Sequence, residues 1–346
     1  VILKALANLH LRDICIPIIY GSAQALYYQR KYLGLESVVN LTTIGSAWEA
    51  KYGTNVYVVN CTDEEARTEF GISTKQAGRI AYESLNRCCE EYKRGMLGAM
   101  VTAPINKENI QSEEFTFPGH TEFLGRYFAE EEGAEPLMIL GSDRMKVALV
   151  TTHIPISKVA ESITKEKIMN KISILHKSLE KDFATLAPKI AVLGLNPHVG
   201  DNGLLGTEDK EIILPAIQEM QEKGCFCFGP YSPDGFFGAG NYTKFDAILA
   251  MYHDQGLIPF KLISMEEGYN FTAGLPVIRT SPDHGTAYDI AGKNKASERS
   301  FVVSLYTAID IYNNRVSYEK IHANPLQKQI DKRAMEKETS PNTEKE

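Results

Sequence analysis

Short apolar runs alternate along the chain with longer stretches in which apolar positions recur every three or four residues. The short runs predict strands near residues 14–20, 55–59, 98–102, 137–140, 146–152, 189–195 and 246–252. The longer stretches predict helices over 22–32, 73–92, 164–180, 208–221 and 298–312, several of them opened by a capping Ser or Thr. This alternation predicts an α/β protein with a largely parallel sheet. Residues 1–9 read as the inside of an amphipathic helix with no cap before it. From Pro325 the chain turns polar, which predicts a frayed helix passing into a disordered tail over 327–346. Cys225 and Cys227 stand at strand period, on one face of a short strand, as small apolar residues. Proline and glycine gather at 102–104, 117–119 and 229–240, and crossovers are expected near residues 110 and 268.

The composition narrows what the chain can do. Its 346 residues exceed the usual single-domain size, so two domains sharing a cleft are expected. Hydrophobic residues at 43% and charged residues at 23% are ordinary for a globular protein, and no apolar stretch is long enough to cross a membrane. The net charge of -7 leaves no electrostatic footprint for nucleic acid or anionic lipid. A small acidic substrate therefore needs positive charge supplied locally. The six cysteines show no CxxC spacing and no disulfide framework, which points to a reducing cytoplasm. The charged runs at 130–132 and 336–338 read as solvated faces.

Three histidines, His153, His198 and His253, each stand just past an apolar run. Open α/β sheets bind ligands beyond the carboxyl ends of their strands, so the three imidazoles are expected to converge on one cleft and hold a divalent cation with open positions. Around His253 the segment 251–261 adds Asp254, Gln255 and Lys261; Asp254 reads either as part of the site or as a helix cap. His120 and Thr121 stand at an expected helix start, suited either to an anion or to a plain threonine cap. Arg279 is read as ending a strand, and its guanidinium suits phosphate or carboxylate. The following His284-Gly-Thr-Ala287 suits a nucleotide, with Gly285 allowing close backbone approach. Neither GxGxxG nor GxxxxGK[ST] occurs, which disfavours a classical dinucleotide or P-loop site.

Five segments together, Val101-Thr-Ala-Pro-Ile-Asn-Lys107, Pro118-Gly-His-Thr-Glu122, Asn196-Pro-His198, Met251-Tyr-His-Asp-Gln-Gly256 and Thr280-Ser-Pro-Asp-His-Gly-Thr-Ala287, resemble the 4-hydroxythreonine-4-phosphate dehydrogenase family of pyridoxal phosphate biosynthesis, in its order and over about residues 10–320. The resemblance implies two α/β/α domains flanking a cleft, similar to the isocitrate and isopropylmalate dehydrogenases. Residues 1–109 with 269–326 then form the nucleotide side, and 110–268 the metal, substrate and dimerisation side. It implies metal ligation by His153, His198 and His253, and substrate contacts from His120, Thr121, Lys261, Asn270 and Arg279. It further implies cofactor contacts from His284, Gly285, Thr286, Ala287, Asp289 and Asn294, and catalytic roles for Lys107 and His120, with Lys107 either a proton donor or a phosphate contact. The aspartate of Ser232-Pro-Asp234 matches a residue that reaches the neighbouring subunit's metal site, which implies a homodimer; the segment 229–240 also suits a lid over its own cleft. Family members open with a strand and a turn containing Gly-Ile-Gly, absent here, so an N-terminally truncated chain is expected.

The implied reaction uses NAD or NADP and one divalent metal (Zn, Mg, Co or Mn). It oxidises 4-phosphohydroxy-L-threonine to a β-keto acid that loses carbon dioxide. A dehydrogenase of D-threonate or D-erythronate 4-phosphate keeps the same motifs. A metal-dependent hydrolase or aldolase, or an inactive metal-binding remnant, is opposed by the loop at 284–294.

Overall fold

A computed structural model describes residues 1–65, 69–128, 136–265 and 267–325. The expected tail and both charged runs lie outside these residues. The strands are β1 (Ile18–Gly21), β2 (Leu41–Ile44), β3 (Val56–Asn60), β4 (Met100–Val101), β5 (Leu137–Gly141), β6 (Lys146–Leu149), β7 (Lys189–Leu193), β8 (Phe226–Tyr231), β9 (Ala247–Ala250), β10 (Tyr269–Ala273) and β11 (Arg279–Pro282). The helices are α1 (Ile2–Leu6), α2 (Leu9–Ile14), α3 (Ala23–Tyr32), α4 (Lys75–Lys93), α5 (His120–Phe128), α6 (Val159–Ser162), α7 (Lys165–Lys181), α8 (Leu214–Glu222), α9 (Pro233–Gly238), α10 (His253–Ser264) and α11 (Arg299–His322).

Two sheets result. The smaller is parallel, in the order β1-β3-β2, and the larger runs β4-β11-β10-β5-β6-β9-β7-β8. Within the larger sheet β10 pairs antiparallel with β11 and β5, and β5 antiparallel with β6, so it is mixed. Strands from both expected units share this one sheet, since β4, β10 and β11 continue directly into β5.

Burial explains which strands form. Ile190 and Val192 of β7, with Leu249 of β9, face α7, α8 and α11, while Ala191, Leu193, Ile248 and Ala250 face α10 and α9. A strand covered on both faces reads as an unbroken apolar run. A third core joins α4 and α5 through Leu85, Phe115, Phe123 and Phe128, and a fourth packs α1 and α3 on the smaller sheet.

Several sequence expectations need correction. Residues 1–9 do not form one helix: Asn8 accepts a hydrogen bond from the His10 amide and starts α2 afresh. The run at 14–20 spends its first residue finishing α2, and its strand begins at Ile18. Cys225 and Cys227 do pack against one core, with Cys227 fully buried. Arg279 opens its strand rather than ending one.

Candidate active site

The order β6-β9-β7 sets three parallel strands side by side, and Leu149 pairs with Ala250 just as Val192 pairs with Leu249. Their carboxyl ends therefore open at one edge of the sheet. Beyond β6 the pairing continues, with the Val150 amide donating to Ala250 O at 2.9 Å and the Thr151 hydroxyl to Met251 O at 2.7 Å. That zipper brings His153 and His253 together, with ring centroids 5.8 Å apart.

His253 is the first residue of α10 and donates through Nδ1 to Asp254 Oδ1 at 2.6 Å. Asp254 thus orients the imidazole, while the helix cap is Tyr252 with no side-chain bond. Gln255, which sequence reasoning left without a role, ties the turn down. It accepts from the Met251 amide and donates to Gly194 O, both at 2.7 Å. Gly256 lets α10 lie on the sheet, since a Cβ there would stand 2.7 Å from Val147 Cγ1 and 3.0 Å from Leu149 Cδ2.

His198 follows β7 in a turn that Asp209 holds from beneath. This carboxylate, 1% exposed, accepts from the Leu195 amide at 2.7 Å, the Asn196 amide at 3.0 Å and Asn196 Nδ2 at 2.9 Å. Residues His198, Val199, Asp201 and Asn202 all take left-handed backbone angles, a conformation that persists in non-glycine residues only where the surroundings impose it. His198 lies close enough to Asp234 to help lower the carboxyl's pKa, after the Ser232 hydroxyl and the Gly235 amide. Among the described residues no three His, Cys, Asp or Glu side chains stand together as a metal-binding group. His153 and His253 are thus brought together, while His198 stands beyond the end of the neighbouring strand β7.

Beside the histidines lies a polar stretch of the sheet. Arg279 is 4% exposed, and its Nε and Nη2 donate to Thr102 Oγ1 at 3.0 and 2.7 Å while Nη1 donates to Thr272 Oγ1 at 3.3 Å. Thr272 stands on β10 one residue beyond the Phe271–Thr280 pair, and Asn270 shares its face two residues away. Burial pulls the Arg279 pKa down to about 10, opposed by Glu122, so the group stays charged at neutral pH. Asn270 Oδ1 is buried without a hydrogen-bond partner.

His120 and Thr121 open α5, so Thr121 is a helical residue and not its cap. Burial first, then the charges of Arg279 and Lys107, hold the His120 imidazole well below the ordinary histidine value. Lys107 follows β4 in a turn made by Asn106 Oδ1, which accepts from the Glu108 and Asn109 amides. A Cβ on Gly119 would stand 3.9 Å from Lys107 Cε and 3.3 Å from Glu122 Oε2. Burial, with Lys107 and His253, lowers the His153 pKa against the pull of Glu122. Lys261 of α10 lies 3.9 Å from Asp283, whose pKa burial raises and Lys261, His284 and His253 oppose. The cluster therefore links His120, Lys107, Arg279, His153, His253 and Lys261. Thr102 lies inside the Val101–Lys107 motif, whereas nothing in the sequence marks Thr272 or Asp209.

The expected cofactor residues follow β11. His284 to Ala287 are exposed, and His284 Nδ1 donates to Gly285 O at 3.0 Å. Ala287 and Asn294 are left-handed, and Lys293 Nζ donates to Asp289 O at 2.7 Å.

Comparison with known proteins gives consistent matches. The family model described as pyridoxal phosphate biosynthetic protein PdxA matches residues 13–308. A 4-hydroxythreonine-4-phosphate dehydrogenase of Bacteroides thetaiotaomicron is 54% identical over 329 residues, 95% of this chain and 89% of that one. One from Sulfurihydrogenibium sp. is 42% identical, covering 89% of this chain and 92% of its own. The crystal structure of the Klebsiella pneumoniae 4-hydroxythreonine-4-phosphate dehydrogenase superimposes with a TM-score of 0.73 at 35% identity, over 85% of this chain and 88% of that one.

Proposed function

The chain belongs to the pyridoxal phosphate biosynthetic protein PdxA family, and from that premise we propose that it is a 4-hydroxythreonine-4-phosphate dehydrogenase. It oxidises 4-phosphohydroxy-L-threonine with NAD or NADP to a β-keto acid, which loses carbon dioxide to give 3-amino-2-oxopropyl phosphate. The observation that carries the substrate class is Arg279. Taking a charge out of water costs several kcal/mol unless it is paired, in order of magnitude, and here two threonine hydroxyls are its hydrogen-bond partners. A phosphate dianion supplies a directly bonded counter-charge through a bidentate contact, where the protein itself offers only the more distant Glu122. Lys261 and Lys107 add positive charge at the rim, in a chain of net charge -7.

The remaining groups suit the polar end of the substrate. His120, kept neutral, accepts a hydrogen bond from a hydroxyl, and the orphaned Asn270 Oδ1 accepts from an ammonium or hydroxyl. The donor chemistry at the strand ends fits a divalent cation, because His153 is held neutral and His253 is oriented by Asp254. His153, His198 and His253 are the residues that would hold it, and imidazole donors favour zinc or cobalt over magnesium. When bound, such a cation acidifies the substrate hydroxyl and polarises the ketone made from it, while the nicotinamide accepts the hydride. The loop 284–294 is the proposed cofactor site, and a homodimer with Asp234 completing the partner's site is the proposed assembly. No described helix is long and apolar enough to cross a membrane, and six unpaired cysteines fit the cytoplasm.

The test is reduction of NAD and NADP, followed by absorbance, with 4-phosphohydroxy-L-threonine, D-threonate 4-phosphate and D-erythronate 4-phosphate in parallel. The first substrate should be preferred, and EDTA should abolish turnover until Zn or Co is restored. Turnover confined to a threonate or erythronate phosphate would overturn the substrate assignment.

A further inference from the structure

The loop 284–294 is braced from outside the large sheet. Tyr32, the last residue of α3, donates its hydroxyl to Gly292 O at 2.6 Å. Phe70, from the segment between β3 and α4, packs against the Tyr32 ring with centroids 5.2 Å apart. Gly292 has a φ of +73°, and a Cβ there would stand 2.6 Å from Phe70 Cγ, so the ring lies directly against the glycine. Lys4 Nζ from α1 adds bonds to Asn294 O at 3.3 Å and Ala296 O at 3.0 Å. Ala287 and Asn294 are left-handed non-glycine residues, a conformation that persists only where the surroundings hold it.

We propose that Tyr32 and Phe70 are positioning residues for the cofactor: they clamp the loop at Gly292 in the shape that receives the nicotinamide nucleotide. The clamp comes from the layer of the small sheet, so that layer serves cofactor affinity without touching the reacting atoms. A loop fixed before binding spares the ordering entropy that a mobile loop would lose on binding. The proposal rests on the reading of 284–294 as the cofactor loop.

Tyr32→Phe removes one hydrogen bond and Phe70→Leu removes the ring, and the holoenzyme of each is titrated with NAD and NADP by calorimetry. Losing one such bond should weaken cofactor binding about three- to tenfold, and the KM for cofactor should rise in step. The KM for 4-phosphohydroxy-L-threonine and the kcat at saturating cofactor should stay within about twofold of wild type, a split that general loosening of the fold would not give. Asp289→Ala and His284→Ala are titrated alongside. If these weaken cofactor binding while Tyr32→Phe and Phe70→Leu bind as wild type, the clamp is refuted. If all four bind as wild type, the loop is not the cofactor site, and the clamp falls with that reading.

Discussion

Arg279 holds its charge inside the sheet between Thr102 and Thr272, an arrangement suited to the phosphate proposed for it. Arg279→Ala should raise the KM for the phosphorylated substrate by about 10- to 150-fold, the worth of one charged hydrogen-bonded contact, and leave the KM for NAD within about twofold. Arg279→Lys should recover little, because an ammonium lacks the planar fork that reaches both threonines and a phosphate. His120 gives a prediction in pH. Its folded-state pKa is depressed below the ordinary 6.5, so above that value both states are neutral and it contributes no slope. As pH falls below about 6.5 the unfolded chain takes a proton that the folded chain refuses, and stability declines by up to ~1.4 kcal/mol per pH unit until the folded-state pKa is reached. The difference between wild-type and His120→Gln melting curves, measured from pH 8 to 4, should open only below that point; parallel curves would show that His120 titrates normally.

At the level of elements, β3, β5, β7 and β9 were legible because burial writes itself as apolar residues. Two other strands are hidden by their polarity. β11 is Arg-Thr-Ser-Pro, buried at every position yet without a Val, Ile or Leu, and β10 places Asn270 and Thr272 on the same polar face. A hydrophobic pattern cannot reveal a strand whose buried face is polar. For that reason the sequence alone places Arg279 at the end of the preceding apolar run and not at the start of β11. The candidate site residues come from the family motifs, and the strand-end logic accounts for the pairing of His153 with His253, but the left-handed turn at His198 has no marker. Asp209 supports that turn, and Asp209→Asn would point an amide at backbone amides. It should lower stability by about 1–3 kcal/mol, seen in urea as a lower midpoint with unchanged slope, whereas His198→Ala, at an exposed position, should leave the midpoint near wild type. Gly256→Ala should cost about 1–3 kcal/mol by forcing α10 away from Val147 and Leu149.

For the molecule as a whole, the open question is where Asp234 acts. Within one chain it already feels His198. Two inactive proteins, Asp234→Ala and His253→Ala, refolded together should regain up to about a quarter of wild-type activity if sites are built across a dimer; mixed dimers with no recovery would make the 229–240 segment a lid over its own cleft. The sheet order carries a further consequence, in time. β11 is the last strand in sequence, yet it lies between β4 and β10, and β4 pairs with no other described strand. A ribosome making this chain therefore releases an open seam: β4 waits unpaired through some 180 residues of synthesis, with one edge of β10 bare, until Arg279-Thr-Ser-Pro282 slides between them. Arg279 arrives on the strand that closes the seam, so a nascent chain gains its proposed anion site only when its sheet becomes continuous.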